Sequence, residues 1–137
     1  MISKNIQKLR EQFKNYNIDG YVIPKNDEFF SEHTNKDRLK FISNFTGSAG
    51  YAIILKEKNY LFVDGRYTIQ AKIESGKNFR IIDYKKIINT KLSKKLNLGI
   101  DPKLFTSDQI KKFFLKNNRV KIVNENLIDN IFKTKDK

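Results

Sequence analysis

Residues 51–65, YAIILKEKNYLFVDG, place two runs of apolar, β-branched and aromatic residues on either side of the polar tetrapeptide KEKN. A connection this short joins neighbouring antiparallel strands, because a parallel return needs a crossover of about a dozen residues or more. The rest of the chain has a different rhythm. YVIP (21–24), FRIID (79–83), LGID (98–101) and VKIV (120–123) read as short strands, separated by segments with apolar residues at helical spacing. Strands alternating with helices give an α/β sandwich, and the hairpin makes its sheet mixed rather than purely parallel. The expected architecture is a mixed β-sheet of about five or six strands flanked by helices.

The helices are read from the same pattern. Ile2, Ile6, Leu9, Phe13 and Tyr16 alternate spacings of four and three and share one face of a first helix, which Asn17 to Gly20 ends. Leu39, Ile42 and Phe45 mark a short second helix, and TGSAG (46–50) breaks the chain before the hairpin. A third helix is expected from Arg66 to about Gly76, a residue suited to the position beyond a helix C-terminus. The segment 84–96 reads as helix and loop. Thr106 and Gln109 have capping-box spacing ahead of Ile110, Phe113 and Phe114, and NLIDNIF (126–132) is a closing helix. The charged tail KTKDK (133–137) is read as the start of a linker, which leaves one domain over 1–132.

A chain of 137 residues is long enough for a single self-sufficient core. It has no cysteine, which excludes disulfides and Cys-type zinc sites, and a cytoplasmic location is the simpler expectation. No signal-like apolar segment or spanning run occurs in this sequence, so no membrane partner is expected. The formal net charge of +13 points towards nucleic acid or an anionic surface. Yet 23 of the 28 basic residues are lysines scattered from Lys4 to Lys137, in a composition dominated by Lys, Asn and Ile, as A+T-rich codon usage produces. The charge is therefore read as a solvated surface, and no nucleic-acid partner is expected.

Several motifs carry possible chemistry. GSAG (47–50) lacks the preceding strand, following helix and Gly-Lys-Ser/Thr ending of a phosphate loop, and reads as a turn needing close backbone approach or positive φ at Gly47 and Gly50. His33 is the single histidine, and its neighbours in sequence supply no converging metal-ligand set; it reads as a loop residue beside Glu32. Asp64, Asp83 and Asp101 each follow a predicted strand, so they could gather at one sheet edge as in a metal-dependent nuclease, or act as ordinary caps and turn residues. In DGRY (64–67), Arg66 stands at the positive end of the third helix, where a cation is disfavoured. Two readings remain open: a planar fork presented to a carboxylate at the sheet rim, or a local ion pair with Asp64 of small net worth.

DGYVIP, DEFFSE, FTGSAGYAII, LFVDGRYTIQA, GIDP and ENLIDNIF, in this order and spacing, resemble the N-terminal creatinase/prolidase-like domain of Xaa-Pro aminopeptidases, the aminopeptidase P family. The resemblance covers nearly the whole chain, and FTGSAG and DGRY are its specific parts. It implies a ribonuclease H-like sandwich that is itself non-catalytic and holds no metal. It also implies a C-terminal metallopeptidase domain, absent from this sequence, with two metal ions, usually manganese, which removes the residue preceding proline. The implied partners are that catalytic domain in the same polypeptide, a proline-containing peptide, and a second subunit of a homodimer. Arg66 would contribute to substrate binding, with Asp64, Gly65 and Tyr67 positioning it, and FTGSAG would be a structural turn near the domain contacts. The sequence departs from the family at His33 and the short TNKD that follows, and at Phe132 where a tryptophan is common. The alternative is a nucleic-acid-binding or metal-dependent nuclease domain of ribonuclease H-like fold, which rests on charge and the strand-end aspartates.

Overall fold

In a computed structural model, residues 2–25, 37–47, 50–83, 96–106 and 119–135 are described. The expectations for His33, for most of 84–96, and for the Gln109 half of the capping box lie outside those residues.

Strands β2 (Gly50–Leu55) and β3 (Asn59–Val63) form the expected hairpin, with Tyr51 opposite Phe62, and the Leu55 N–H donates to Lys58 O at 2.8 Å. On the other side of β2 lies β1 (Gly20–Pro24), also antiparallel, with Tyr21 opposite Ile54. The remaining strands pair in parallel: β4 (Arg80–Asp83) on β3, β5 (Asn97–Ile100) on β1, and β6 (Arg119–Ile122) on β5. The result is a six-stranded sheet in the order β4-β3-β2-β1-β5-β6, in which β2 alone runs against its neighbours. Five strands therefore end at one edge, where β2 begins. That edge receives Asp64, Asp83 and Asp101.

Side-chain alternation divides the strands between two apolar layers. Tyr21, Ile23, Ala52, Ile54, Leu61 and Val63 face one core, and Val22, Ile53, Leu55, Tyr60, Phe62, Leu98 and Ile100 face the other. Every residue of β1 is buried, as its uninterrupted apolar run requires. The first layer is covered by Ile6 and Leu9 of α1 (Ile2–Glu11), Phe13 of α2 (Phe13–Tyr16), Leu39 and Ile42 of α3 (Arg38–Ser43), Ala71 of α4 (Thr68–Ser75) and Leu127, Ile128 and Ile131 of α5 (Leu127–Lys135).

The structure corrects three helix boundaries. The first helix is interrupted at Gln12, whose N–H turns back to Leu9 O at 3.1 Å while its side chain reaches α5, donating to Leu127 O at 3.0 Å and accepting from Asn130 Nδ2 at 2.8 Å. Asn17, with φ 54°, closes α2 in the left-handed conformation. The third helix ends at Gly76 as expected, though not in that conformation: its φ is −64°, and the chain keeps turning until the Phe79 N–H bonds Ser75 O at 3.0 Å and Phe79 enters the core. The third helix starts later than expected, because Gly65–Tyr67 form a 3₁₀ turn and α4 begins at Thr68. At the other end of the chain, α5 continues past residue 132 to Lys135.

Two polar anchors lock α5. Asn126 Oδ1 accepts from the N–H groups of Ile128 and Asp129 at 3.0 and 3.2 Å, while its Nδ2 donates to Asp101 Oδ2 at 3.0 Å. Arg38, 1% exposed, grips Asp129 through Nε and Nη2.

Candidate functional site

β3 carries Asp64 to the sheet edge in extended backbone, φ −61° and ψ 143°. Its Oδ1 accepts from the Arg66 N–H at 2.9 Å and from Arg66 Nε at 3.2 Å, and Oδ2 lies 3.5 Å from Nη2. One carboxylate thus caps the turn and offsets the cation at the positive helix end. The Tyr67 N–H returns to Asp64 O at 2.8 Å, and Thr68 Oγ1 donates to Gly65 O at 3.1 Å. Gly65 lies close to β4: a Cβ there would come 2.8 Å from Asp83 Oδ2, so a side chain at this position would displace that carboxylate. Arg66 remains 76% exposed, while Asp64 is 17% exposed, so the guanidinium is both paired and presented to solvent.

Beneath the guanidinium lies Tyr67, with Arg66 Cζ 5.5 Å from the ring centre. The Tyr67 ring meets buried Phe45 nearly edge-on, 6.2 Å between centroids at 78°. Phe45 in turn is packed under Gly47, where a Cβ would come within 2.2 Å of Phe45 Cζ. Residues 45–47 and DGRY therefore share one patch of the molecule. Thr46 ties them further: its N–H donates to Glu74 Oε1 at 3.0 Å and its hydroxyl to Oε2 at 2.6 Å, and Gln70 Nε2 donates to Thr46 Oγ1 at 2.9 Å and Glu74 Oε1 at 3.2 Å. Desolvation would raise the Glu74 pKa, but the Thr46 hydroxyl and N–H, Gln70 and the charge of Lys40 outweigh it and lower it below 4.5. Ser75 Oγ adds a bond to Ser43 O at 2.7 Å.

Phe45, Thr46, Gln70 and Glu74 carry no motif that names them as a group. The exposed side of α4 continues the line of Arg66 with Ile69 and Ile73, 75% and 81% exposed and one helical turn apart.

The strand-end aspartates do not converge. Asp83 adjoins the DGRY turn, but Asp101 lies beyond β2 and β1, roughly 14 Å of sheet from β3 at the usual strand spacing. Asp101 is 1% exposed, and its carboxylate accepts from Asn126 Nδ2 and the Lys103 N–H, which makes it the cap of the 3₁₀ turn Pro102–Leu104. No group of three His, Cys, Asp or Glu side chains suited to a metal occurs among the described residues. The nuclease reading finds no support in this arrangement.

The sequence profile of the creatinase/prolidase N-terminal domain matches residues 5–129. The chain belongs to this family. As a creatinase/prolidase N-terminal domain it is 35% identical over 116 residues to the probable Xaa-Pro aminopeptidase P of Coprinopsis cinerea, covering 77% of this chain and 19% of that protein. It is 32% identical over 146 residues to Xaa-Pro aminopeptidase 1 of Dictyostelium discoideum, covering 95% of this chain and 23% of the relative. In structure it resembles the X-prolyl aminopeptidase of Caenorhabditis elegans, described as a cytosolic enzyme with a di-nuclear active site, with a TM-score of 0.82 at 23% identity over 97% of this chain and 26% of that one. This creatinase/prolidase N-terminal domain thus spans about a fifth of the length of the curated relatives it matches. Among its described residues no helix is long and apolar enough to cross a membrane.

Proposed function

We propose that this creatinase/prolidase N-terminal domain is the non-catalytic N-terminal part of a Xaa-Pro aminopeptidase, in which it supplies a substrate-binding wall and a domain interface. The observation that carries the reading is Arg66: a guanidinium paired with Asp64, its side chain 76% exposed, standing at a sheet edge where ligand sites of α/β folds collect. Its role is to present a charge-assisted donor pair to a carboxylate of the peptide substrate. Asp64, Gly65 and Tyr67 position it.

The chemistry belongs to a C-terminal catalytic domain of the same polypeptide, which carries two manganese ions; such ions supply a nucleophilic hydroxide near neutral pH. The described residues supply no group of three side chains suited to such ions, and Asp64, Asp101 and Asp129 are engaged as caps or ion-pair partners. Ile69 and Ile73, beside Arg66, face that catalytic domain. The parent enzyme works in the cytoplasm as a homodimer, and the single reversed strand β2 supports the ribonuclease H-like sandwich reading of the fold.

Expression of the full polypeptide that carries this chain tests the reading. It is expected to release the N-terminal residue of Xaa-Pro-Xaa peptides in the presence of manganese and to spare peptides without proline in second place. Failure to distinguish the two peptides, or turnover by residues 1–137 alone, overturns it.

A further inference from the structure

We propose that Phe45 is a positioning residue for Arg66, acting through Tyr67, so that the segment 45–47 sets the direction in which the arginine presents its guanidinium. The proposal rests on the substrate-binding reading of Arg66. It starts from the geometry of its grip on Asp64. The Nε contact at 3.2 Å is a hydrogen bond, but the Nη2 contact at 3.5 Å is long, so the carboxylate secures one end of the fork more firmly than the other. The Tyr67 ring, 5.5 Å from Cζ, supplies a second surface and restricts the fork.

That surface is useful only if the ring is itself fixed. Tyr67 is half-buried, and its contact with Phe45 is edge-on at 78°, an arrangement that depends on aromatic ring geometry and not merely on apolar volume. Phe45 has little room to tilt away. It is fully buried, and a Cβ on Gly47 would sit 2.2, 2.8 and 2.9 Å from three of its ring atoms, so the glycine backbone closes directly over the ring. Backbone anchoring completes the path: Thr46, next in the chain, is hydrogen-bonded to Glu74 on α4, the helix that follows Arg66. The turn, the ring stack and the arginine are thus braced against one another.

The test uses the isolated 137-residue chain and the full polypeptide. In the chain, ¹⁵N relaxation of the Arg66 Nε–H group is expected to report a restrained side chain, and both Phe45→Leu and Tyr67→Leu to lower its order parameter towards that of an unrestrained surface arginine while amide shifts of the sheet stay in place. Tyr67→Phe keeps the ring and is expected to keep the restraint. Because Tyr67 is half-exposed, its variants remain informative even if Phe45→Leu fails to fold. In the full enzyme, Phe45→Leu is expected to lower kcat/KM about fivefold or more when Arg66 is present and to have little effect in an Arg66→Ala background. An unchanged Nε–H order parameter in Tyr67→Leu, or equal loss of activity with and without Arg66, overturns the proposal. Full activity of Arg66→Ala overturns the substrate-binding reading instead, and leaves the relaxation result to judge the positioning.

Discussion

Arg38 and Asp129, 91 residues apart in the chain, meet in a two-pronged ion pair, Nε to Oδ1 at 2.9 Å and Nη2 to Oδ2 at 3.0 Å. The guanidinium is 1% exposed and its partner carboxylate 22% exposed, so the two ends of the pair differ in how easily water could replace the lost contact. Asp129→Ala, which takes this carboxylate from a buried cation, is expected to cost about 3 to 5 kcal/mol. Arg38→Met, which leaves a carboxylate at the surface, is expected to cost clearly less. Urea denaturation of the isolated chain checks both the size of the loss and its order.

For Arg66→Ala the expected stability change is under about 1 kcal/mol, since its ion pair is solvent-exposed. In the full polypeptide the same change is expected to remove about 1.5 to 3 kcal/mol of binding from a charge-assisted bond, or about one to two decades in kcat/KM. Arg66→Lys is expected to recover little, because a point charge does not reproduce the planar fork. Steady-state kinetics of the parent beside a thermal melt of the chain separate the two effects. A variant that melts early and keeps normal kinetics in its folded fraction would assign Arg66 to structure.

The Ile69→Ser/Ile73→Ser pair addresses the interface. In the isolated chain both side chains are largely in water, and the double change is expected to shift stability by less than about 1 kcal/mol. In the full polypeptide it is expected to lower the Tm of the contact and to speed amide exchange along α4. Identical exchange in the two proteins would mean that this face stays in solvent.

Glu74 gives a pH signature. Its folded pKa lies below 4.5, because the hydrogen bonds from Thr46 and Gln70 and the Lys40 charge outweigh desolvation. A group with a depressed folded pKa adds stability that is fully present above its unfolded value and is lost as pH falls through the folded one. Wild type is therefore expected to be more stable than Glu74→Gln at pH 7, with the gap closing below pH 4.5. Thermal melts of both proteins across that range check the sign; a gap that widens in acid would contradict it.

The elements themselves were legible because their periods differ: alternation in YAIIL and YLFV, spacings of three and four from Ile6 to Phe13, and a polar tetrapeptide too short for anything but a hairpin. Asp64 as a cap was legible for the same local reason. What could not be read depends on partners distant in sequence. Gln12 looks like any polar residue on a helix, and the interruption there accompanies its contacts with Leu127 and Asn130. Gly76 had the composition of a left-handed cap, yet the chain continues to turn right-handed towards buried Phe79. Asp101 and Asp64 follow their strands in the same way, and only the sheet order reveals that two strands stand between them. Thr46 and Glu74 have no spacing to announce their bond, because a loop and a helix meet there through the fold alone.

The position of β1 has a consequence for how the protein is made. Gly20 pairs on one side with Leu55 and on the other with Leu98, so its first neighbour is close behind it in the chain and its second arrives much later. A nascent polypeptide that has released β3 already holds a three-stranded meander whose inner edge is bare. That edge waits for Asn97–Ile100 to leave the ribosome, a delay on the order of seconds at ordinary rates of synthesis. An unpaired apolar strand is the kind of surface that recruits wrong partners.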